Sequence, residues 1–295
     1  MPSLNEFISA IGFGIVTGSI IALGGVGATF QIGITNFVNF AYGNFMTVGA
    51  YFALVMINVL HLGVLAGLAV GAVGTGIVAV ICDMTIFQPF LRDRKVSVIT
   101  MTVVTVALSL ILTGACQAIW GATSQTYDLG IERELKIGPF SFTSSQLIII
   151  AVTAAAVALF ETGLRVTKLG KALRAMSDNL QLAQASGIGV RALTRVTWLI
   201  SGAFAGLAGV VLVITTRGLT PTFGLTYLFV IMSAVVIGGL GRPIGTVVAS
   251  LFIGQVMEIG GIFINAAYLN ALAFGALILA LVFRPNGLFA AKAIH

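Results

Sequence analysis

The chain has 295 residues and a formal net charge of +6, yet only 8% of it is charged, against about 25% in a soluble domain. Hydrophobic residues make up 58% and the mean hydropathy is +1.10. That leaves too little polar surface for a soluble enzyme, a nucleic-acid binder, a disulfide-rich secreted domain or a disordered chain, so the chain reads as a resident of a bilayer.

Apolar runs of spanning length, about 20 residues, fall near 7–30, 37–59, 63–87, 97–120, 145–164, 193–213, 227–240, 246–264 and 269–283. The sequence therefore predicts an all-α polytopic membrane protein with about 8–9 transmembrane helices, some broken or re-entrant, in a single domain over residues 1–295. The first run carries Glu6 and is preceded by no Lys or Arg. A cleaved signal needs a basic leader, so this helix is expected to be retained with Met1 outside. The stretch Gln31–Gly43 mixes Asn36 and Asn39 with Phe, and Asn44 follows at once. Amides in hydrocarbon are costly without partners, so a broken or re-entrant helix, buried by protein or a water-filled cavity, is expected there. The run Tyr227–Leu240 is short and ends in GGLGRPIG, as a half-helix stopping inside the membrane would.

Cys82 and Cys116 lie inside apolar runs with no CxxC and no nearby His, and read as small core residues. His61 and His295 have no nucleophile or carboxylate beside them, which argues against zinc or His-based acid–base chemistry. Small residues recur at four-residue spacing in Gly14/Gly18, Gly63/Gly67/Gly71, Gly202/Gly206 and Gly241/Gly245, the pattern of close helix packing in lipid. Alternating inward from an outside start puts Arg92, Arg94, Lys95, Arg165, Lys168, Lys171, Arg174, Arg191, Arg195, Arg242, Arg284 and Lys292 on the inner side. Arg133, Lys136 and Arg217 fall outside, in or near an external loop of about 121–144 that also carries Asp128, Glu132 and Glu134. The bias satisfies the positive-inside rule and puts the C-terminus in the cytoplasm.

The inner loop at about 165–192 is the most informative segment. Leu169, Ala172, Leu173, Met176 and Leu180 recur with helical period, while Lys168, Lys171, Arg174 and Asp178 fall mostly on the opposite face. Ser177 or Asp178 would cap a second short helix that ends at Gly187 as a C′ residue. Periodicity allows two uses for the apolar stripe of this helix–turn–helix. It either rests on anionic lipid or offers a ridge to a partner protein.

The residues of this loop, KLGKALRAMSDNLQLAQASGIGV, resemble the coupling loop of the branched-chain amino-acid type of ABC-transporter permease, roughly GxAxRAxxxDxxxAxxxGI. Gly170, Ala172, Arg174, Ala175, Asp178, Ala183, Gly187 and Ile188 fit that pattern. NFAYGNFMTVGAY (39–51) is similar to the family's NFAHG(D/E)…GAY, VIGGLGRPIG (236–245) to its VLGGxGxxxG, and RPNGLF (284–289) to its C-terminal RPxGLFG. Tyr42 stands where the family usually has His, and Asn44 where it often has Asp or Glu.

The resemblance implies a permease subunit of an importer for branched-chain or neutral amino acids, or related small amides, in a bacterial-type cytoplasmic membrane. It implies a second related permease or a second copy as partner, two cytoplasmic ATPases and an extracytoplasmic substrate-binding protein. The resemblance also makes Lys168, Leu169, Gly170, Lys171, Arg174, Ala175, Asp178, Leu182, Gly187 and Ile188 the ATPase-coupling residues. The chain has no GxxxxGK[ST], so it is not expected to be an enzyme or to hold a cofactor, and ATP with Mg would sit on the partner ATPases. The candidate substrate path is Asn36, Asn39, Tyr42, Asn44, Thr102, Thr105 and Glu258, with Ser109 extending the Thr102/Thr105 face. Hydroxyls in membrane helices also bond their own helix, and Glu258 fits a bond to a neighbouring helix or permease as well as it fits the path. Its acid also leaves open a second class, an ion- or proton-coupled secondary transporter of small polar solutes. Asp83 reads as a boundary ion pair with Arg92 or Arg94.

Overall fold

The computed structural model describes residues 4–91, 97–130, 134–137, 140–265 and 268–283. Among them are seven helices long and apolar enough to cross a membrane, and two shorter apolar ones. In chain order they are α1 (Leu4–Thr35), α2 (Tyr42–Leu54), α3 (Gly63–Cys82) with its short extension α4 (Gln88–Leu91), α5 (Val98–Trp120) and α6 (Ser144–Val166). After a helix–turn–helix, α7 (Lys168–Asp178) and α8 (Leu180–Ala185), come α9 (Val190–Thr216), α10 (Phe223–Gly238), α11 (Pro243–Gly261) and α12 (Leu269–Phe283). One π-turn, Val55–Val59, extends α2, and another, Asp83–Phe87, joins α3 to α4. The departures from all-α among the described residues are an antiparallel hairpin, β1 (Glu134–Ile137) and β2 (Phe140–Thr143), in the predicted external loop, and an isolated antiparallel bridge between Gln125 and Leu219.

Helices α1, α2 and α9 form the core. All but one residue of α2 is buried, as in a helix surrounded by other helices. In contrast, α5 and α6 expose most of their surface, and their exposed positions include Ile99, Val103, Leu110 and Leu159, suited to lipid or another membrane subunit. Small residues set the closest approaches. A Cβ on Gly71 would meet the Gly49 carbonyl at 3.0 Å, and one on Gly18 would meet Leu251 Cα of α11 at 2.8 Å. Those backbones can touch only because no side chain intervenes. Cys82 and Cys116 are buried as free thiols.

The predicted break is real but narrower than Gln31–Gly43. Residues up to Thr35 stay helical, and Asn36, with φ of 59°, ends the helix while its N–H still reaches the Ile32 carbonyl at 2.9 Å. Asn tolerates this left-handed conformation better than most residues. Residues 36–41 are non-helical. Tyr42 Oη donates to the Gly24 carbonyl at 2.8 Å. Gly24 lies about 16 Å up α1 from Thr35 at 1.5 Å per residue, more than a tyrosine side chain spans. The non-helical segment thus climbs back into the bundle, and it does so among buried Phe37, Asn39 and Ala41.

The last spans also begin and end differently from the hydropathy reading. α10 runs from Phe223 to Gly238, and α11 starts at Pro243, where the ring supplies the fixed φ of a first helical turn. Between them Gly239 and Gly241 take φ of 97° and 75°. This tight turn is what ends α10 at 16 residues. The C-terminal RPNGLF motif, and Arg92, Arg94 and Lys95, lie outside the described residues.

Candidate functional site

At the end of the bundle that carries Arg165, Lys168, Lys171, Arg174, Arg191 and Arg242 (the basic end), α7 and α8 form the expected helix–turn–helix. Local chemistry accounts for each boundary. Thr167 caps α7 by accepting from Gly170 N at 2.9 Å. The cap of α8 is Asn179, which accepts from Leu182 N at 3.0 Å, and not Ser177 or Asp178 as the spacing suggested. Asn179 wins because it adopts the extended backbone that a cap needs, while Ser177 and Asp178 are still helical. Gly187, with φ of 79°, ends α8 as expected. Its N–H meets the Gln184 carbonyl and the Ile188 N–H meets the Ala183 carbonyl, the paired bonds of a Schellman motif.

Most of the apolar stripe points inward, while Leu169 of the same stripe stays 44% exposed. Leu173 and Met176 are 1% and 2% exposed, Ala183 is buried, and Gly170 sits against the Leu164 backbone. Burying these side chains against the chain's own helices competes successfully with offering them to lipid or to a partner. What remains outside is Lys168, Leu169, Lys171, Arg174 and Leu182, a mixed face with two exposed leucines among cations. Ala175 is half-buried, and Asp178 is the last residue of α7.

The helix–turn–helix is fastened to the bundle. Ser177 Oγ donates to the Gly33 carbonyl in the last turns of α1 at 3.1 Å. Gly33 in turn packs on Gly241, where an added Cβ would come 2.9 Å from the Gly241 Cα, and Gly241 N donates to Thr29 Oγ1 at 3.0 Å. After α8 the chain enters α9 directly, and Trp198 stacks on Phe87 at 4.6 Å between ring centroids. Phe87 stacks on Phe37 of the non-helical segment, and Phe45 of α2 meets Trp198 edge-on. The helix–turn–helix therefore reaches the break by two routes, from its middle through α1 and from its C-terminal end through α9.

The break itself is lined by a neutral polar seam. Asn39 Nδ2 and Ser201 Oγ both donate to Gln31 Oε1 at 3.3 Å, tying the break to α1 and α9. Asn44 Nδ2 donates to Thr113 Oγ1 at 2.6 Å, and Ser109 Oγ donates to Asn44 Oδ1 at 2.5 Å, tying α2 to α5. Thr105 Oγ1 accepts from Phe40 N at 3.2 Å, and Gly224 N donates to Thr47 Oγ1 at 3.0 Å. The Gln31 amide nitrogen is buried with no partner, a spare donor in the middle of the seam.

Of the path residues expected from sequence, Asn39, Tyr42, Asn44 and Thr105 come together here. Asn36 is exposed at the end of α1. Thr102 donates to the Val98 carbonyl of its own helix. Glu258 lies apart, accepting from Thr17 of α1 at 2.6 Å. Asp83 is fully buried and accepts from Gln88 Nε2 at 2.7 Å, while its second oxygen has no partner. Arg92 and Arg94, its expected partners, fall outside the described residues. Gln31, Ser201, Thr47 and Thr113 were not singled out beforehand. Thr113 continues the hydroxyl face of Thr102, Thr105 and Ser109 by one more turn, a visible signal, whereas Ser201 has no signature of its own.

The family model described as "Branched-chain amino acid transport system / permease component" matches residues 10–282. The permease protein BraD of a high-affinity branched-chain amino acid transport system of Pseudomonas aeruginosa is 24% identical over 301 residues, covering 98% of this chain and 97% of that protein. The corresponding permease protein LivH of Escherichia coli K12 is 25% identical over 295 residues, covering 96% and 95%. The probable branched-chain amino acid transport permease protein LivH of Methanocaldococcus jannaschii is 31% identical over 248 residues, covering 81% and 76%. No solved structure matches the chain.

Proposed function

This multi-pass membrane chain belongs to the family of branched-chain amino acid transport permease components, and from that premise we propose that it is the translocating subunit of an ATP-binding-cassette importer. The observation that carries the proposal is the helix–turn–helix at the basic end. It is hydrogen-bonded to α1 through Ser177 and continuous with α9, the two core helices that flank the break. Closure of a pair of ATPases can move a helix bundle only through a stiff element packed into it, and this element meets that need.

In this reading the basic end faces the cytoplasm, the N-terminus lies outside and the C-terminus inside. Lys168, Lys171, Leu169 and Leu182 form the face that meets the ATPase, which holds ATP and Mg, with Arg174 at its edge. Substrate arrives from a binding protein on the other side and passes between this chain and a second permease, either a related subunit or another copy. Movement of α1 against α9 would open the Gln31–Asn39–Ser201 cluster and make the spare Gln31 amide available to a carbonyl or carboxylate oxygen. Asn44 supplies an amide where many family members carry an acid, so the seam around it offers dipoles and no fixed charge. That supports amino acids with uncharged side chains, or small amides, as the substrate class.

The test is reconstitution in proteoliposomes with the co-purifying ATPases and binding protein, and uptake competition across amino acids and amides. The proposal expects ATP-dependent uptake that survives collapse of the proton gradient, competed best by neutral substrates. Uptake driven by the gradient in the absence of ATP would replace it with the secondary-transport reading.

A further inference from the structure

Beside the helix–turn–helix the basic end holds a cavity of about 670 Å³. Its lining includes Arg165, Arg174 and Arg242 and a single acidic residue, Glu161, which pairs with Arg165 at 2.6 Å. The first turn of α11 opens onto the same space and adds the positive end of its dipole. The remaining wall is apolar, with Phe30 and Leu164. One and two turns before this wall on the same face of α6, Ala158 and Ala154 are apolar and exposed, so the flank of the bundle running from the cavity along α6 is open to acyl chains.

Three cations with one counter-charge call for an anion, and the apolar wall calls for something attached to it. We propose that this cavity binds the phosphate headgroup of an anionic phospholipid, with its acyl chain lying along α6. A basic pocket between membrane helices at headgroup depth is the usual setting for such a lipid. Its volume lies within the roughly 300–1,000 Å³ of small-ligand sites. The inference does not depend on the importer reading, since it needs only a chain seated in a bilayer. It gives that reading a consequence, however. A lipid held between α1, α6, α7 and α11 would brace the helix–turn–helix in one position, so lipid composition would tune the lever.

The test is thermal unfolding of the purified full-length chain in detergent, titrated with dioleoylphosphatidylglycerol, dioleoylphosphatidylcholine or inorganic phosphate. The glycerol lipid should raise the melting temperature saturably, and the choline lipid and phosphate should not. The double variant Arg165→Gln/Arg242→Gln should need about thirtyfold more of the anionic lipid. Arg165→Lys/Arg242→Lys should recover much of the response, which separates loss of charge from loss of folding. Arg191→Gln, basic but outside the cavity, should respond as the parent does. Equal effects of the two lipids, or an unchanged response in the Gln double variant, would overturn the site. Saturation by inorganic phosphate alone would assign it to a free anion. Loss of a co-purifying ATPase in the Gln double variant with the lipid response intact would assign the arginines to that partner.

Discussion

Ser177 Oγ and the Gly33 carbonyl sit 3.1 Å apart, joining the middle of the basic-end helix–turn–helix to α1 just before its helix stops at Thr35. The bond makes α1, rather than the loop ends alone, the element that any pull on α7 reaches first. Ser177→Ala removes it and leaves the fold's buried contacts in place. Interhelical hydrogen bonds in membranes contribute about 0.6 kcal/mol on average, so insertion and melting temperature should hardly change. Uptake should fall several-fold, measured per mole of inserted protein.

Gly33 tests the same joint sterically. A side chain there would press on Gly241 of the α10–α11 turn. Gly33→Val is expected to part α1 from that turn and abolish uptake, with a cysteine pair at Thr29 and Gly241 losing its ability to cross-link. A variant that transports normally would show that the turn moves independently of α1.

Asn44 tests the seam. Its amide satisfies both Ser109 and Thr113, and Asn44→Leu would leave two hydroxyls of α5 facing an apolar side chain. Each unsatisfied buried group costs about 1–3 kcal/mol. The variant should melt several degrees lower in detergent, and Asn44→Leu/Ser109→Ala/Thr113→Val should recover most of the loss, since removing both partners is far cheaper than orphaning one.

Tyr127, in the loop between α5 and β1, carries a pH prediction. Its Oη donates to the Ala50 carbonyl at 2.8 Å, and burial pushes the phenol well above its ordinary value of 10.0. The unfolded chain thus loses this proton before the folded chain does. The contribution to stability is complete below pH 10 and declines as the pH rises beyond it. Alkaline unfolding curves of Tyr127→Phe should lack that part of the slope, with both proteins parallel below pH 9.

Much of this architecture was legible because hydropathy and glycine are strong signals in lipid. The spans, the helix–turn–helix, Gly187 as its stop and the non-helical stretch near Asn36 all follow from residue type and spacing. Sequence could not say which way the α7 stripe points, because Leu173 and Met176 look the same whether they face a partner or their own bundle. Nor could it find the cap at Asn179, where backbone conformation chose among three adjacent polar residues. The seam was half visible. Asn39 and Asn44 stood out as amides in an apolar run, but Ser201 is an ordinary small residue on α9 until folding brings it to Gln31.

The most direct test of the lever is cross-linking from Leu182, 64% exposed on α8. In a chain with Cys82 and Cys116 replaced, Leu182→Cys should be joined by a short cleavable bismaleimide to a cysteine-bearing ATPase partner in the assembled transporter. The joined complex should hydrolyse ATP but fail to transport, and reduction of the linker should restore uptake. An intact, ATP-driven assembly in which the introduced thiol reacts only with lipid-soluble reagents and never with the ATPase would contradict the account.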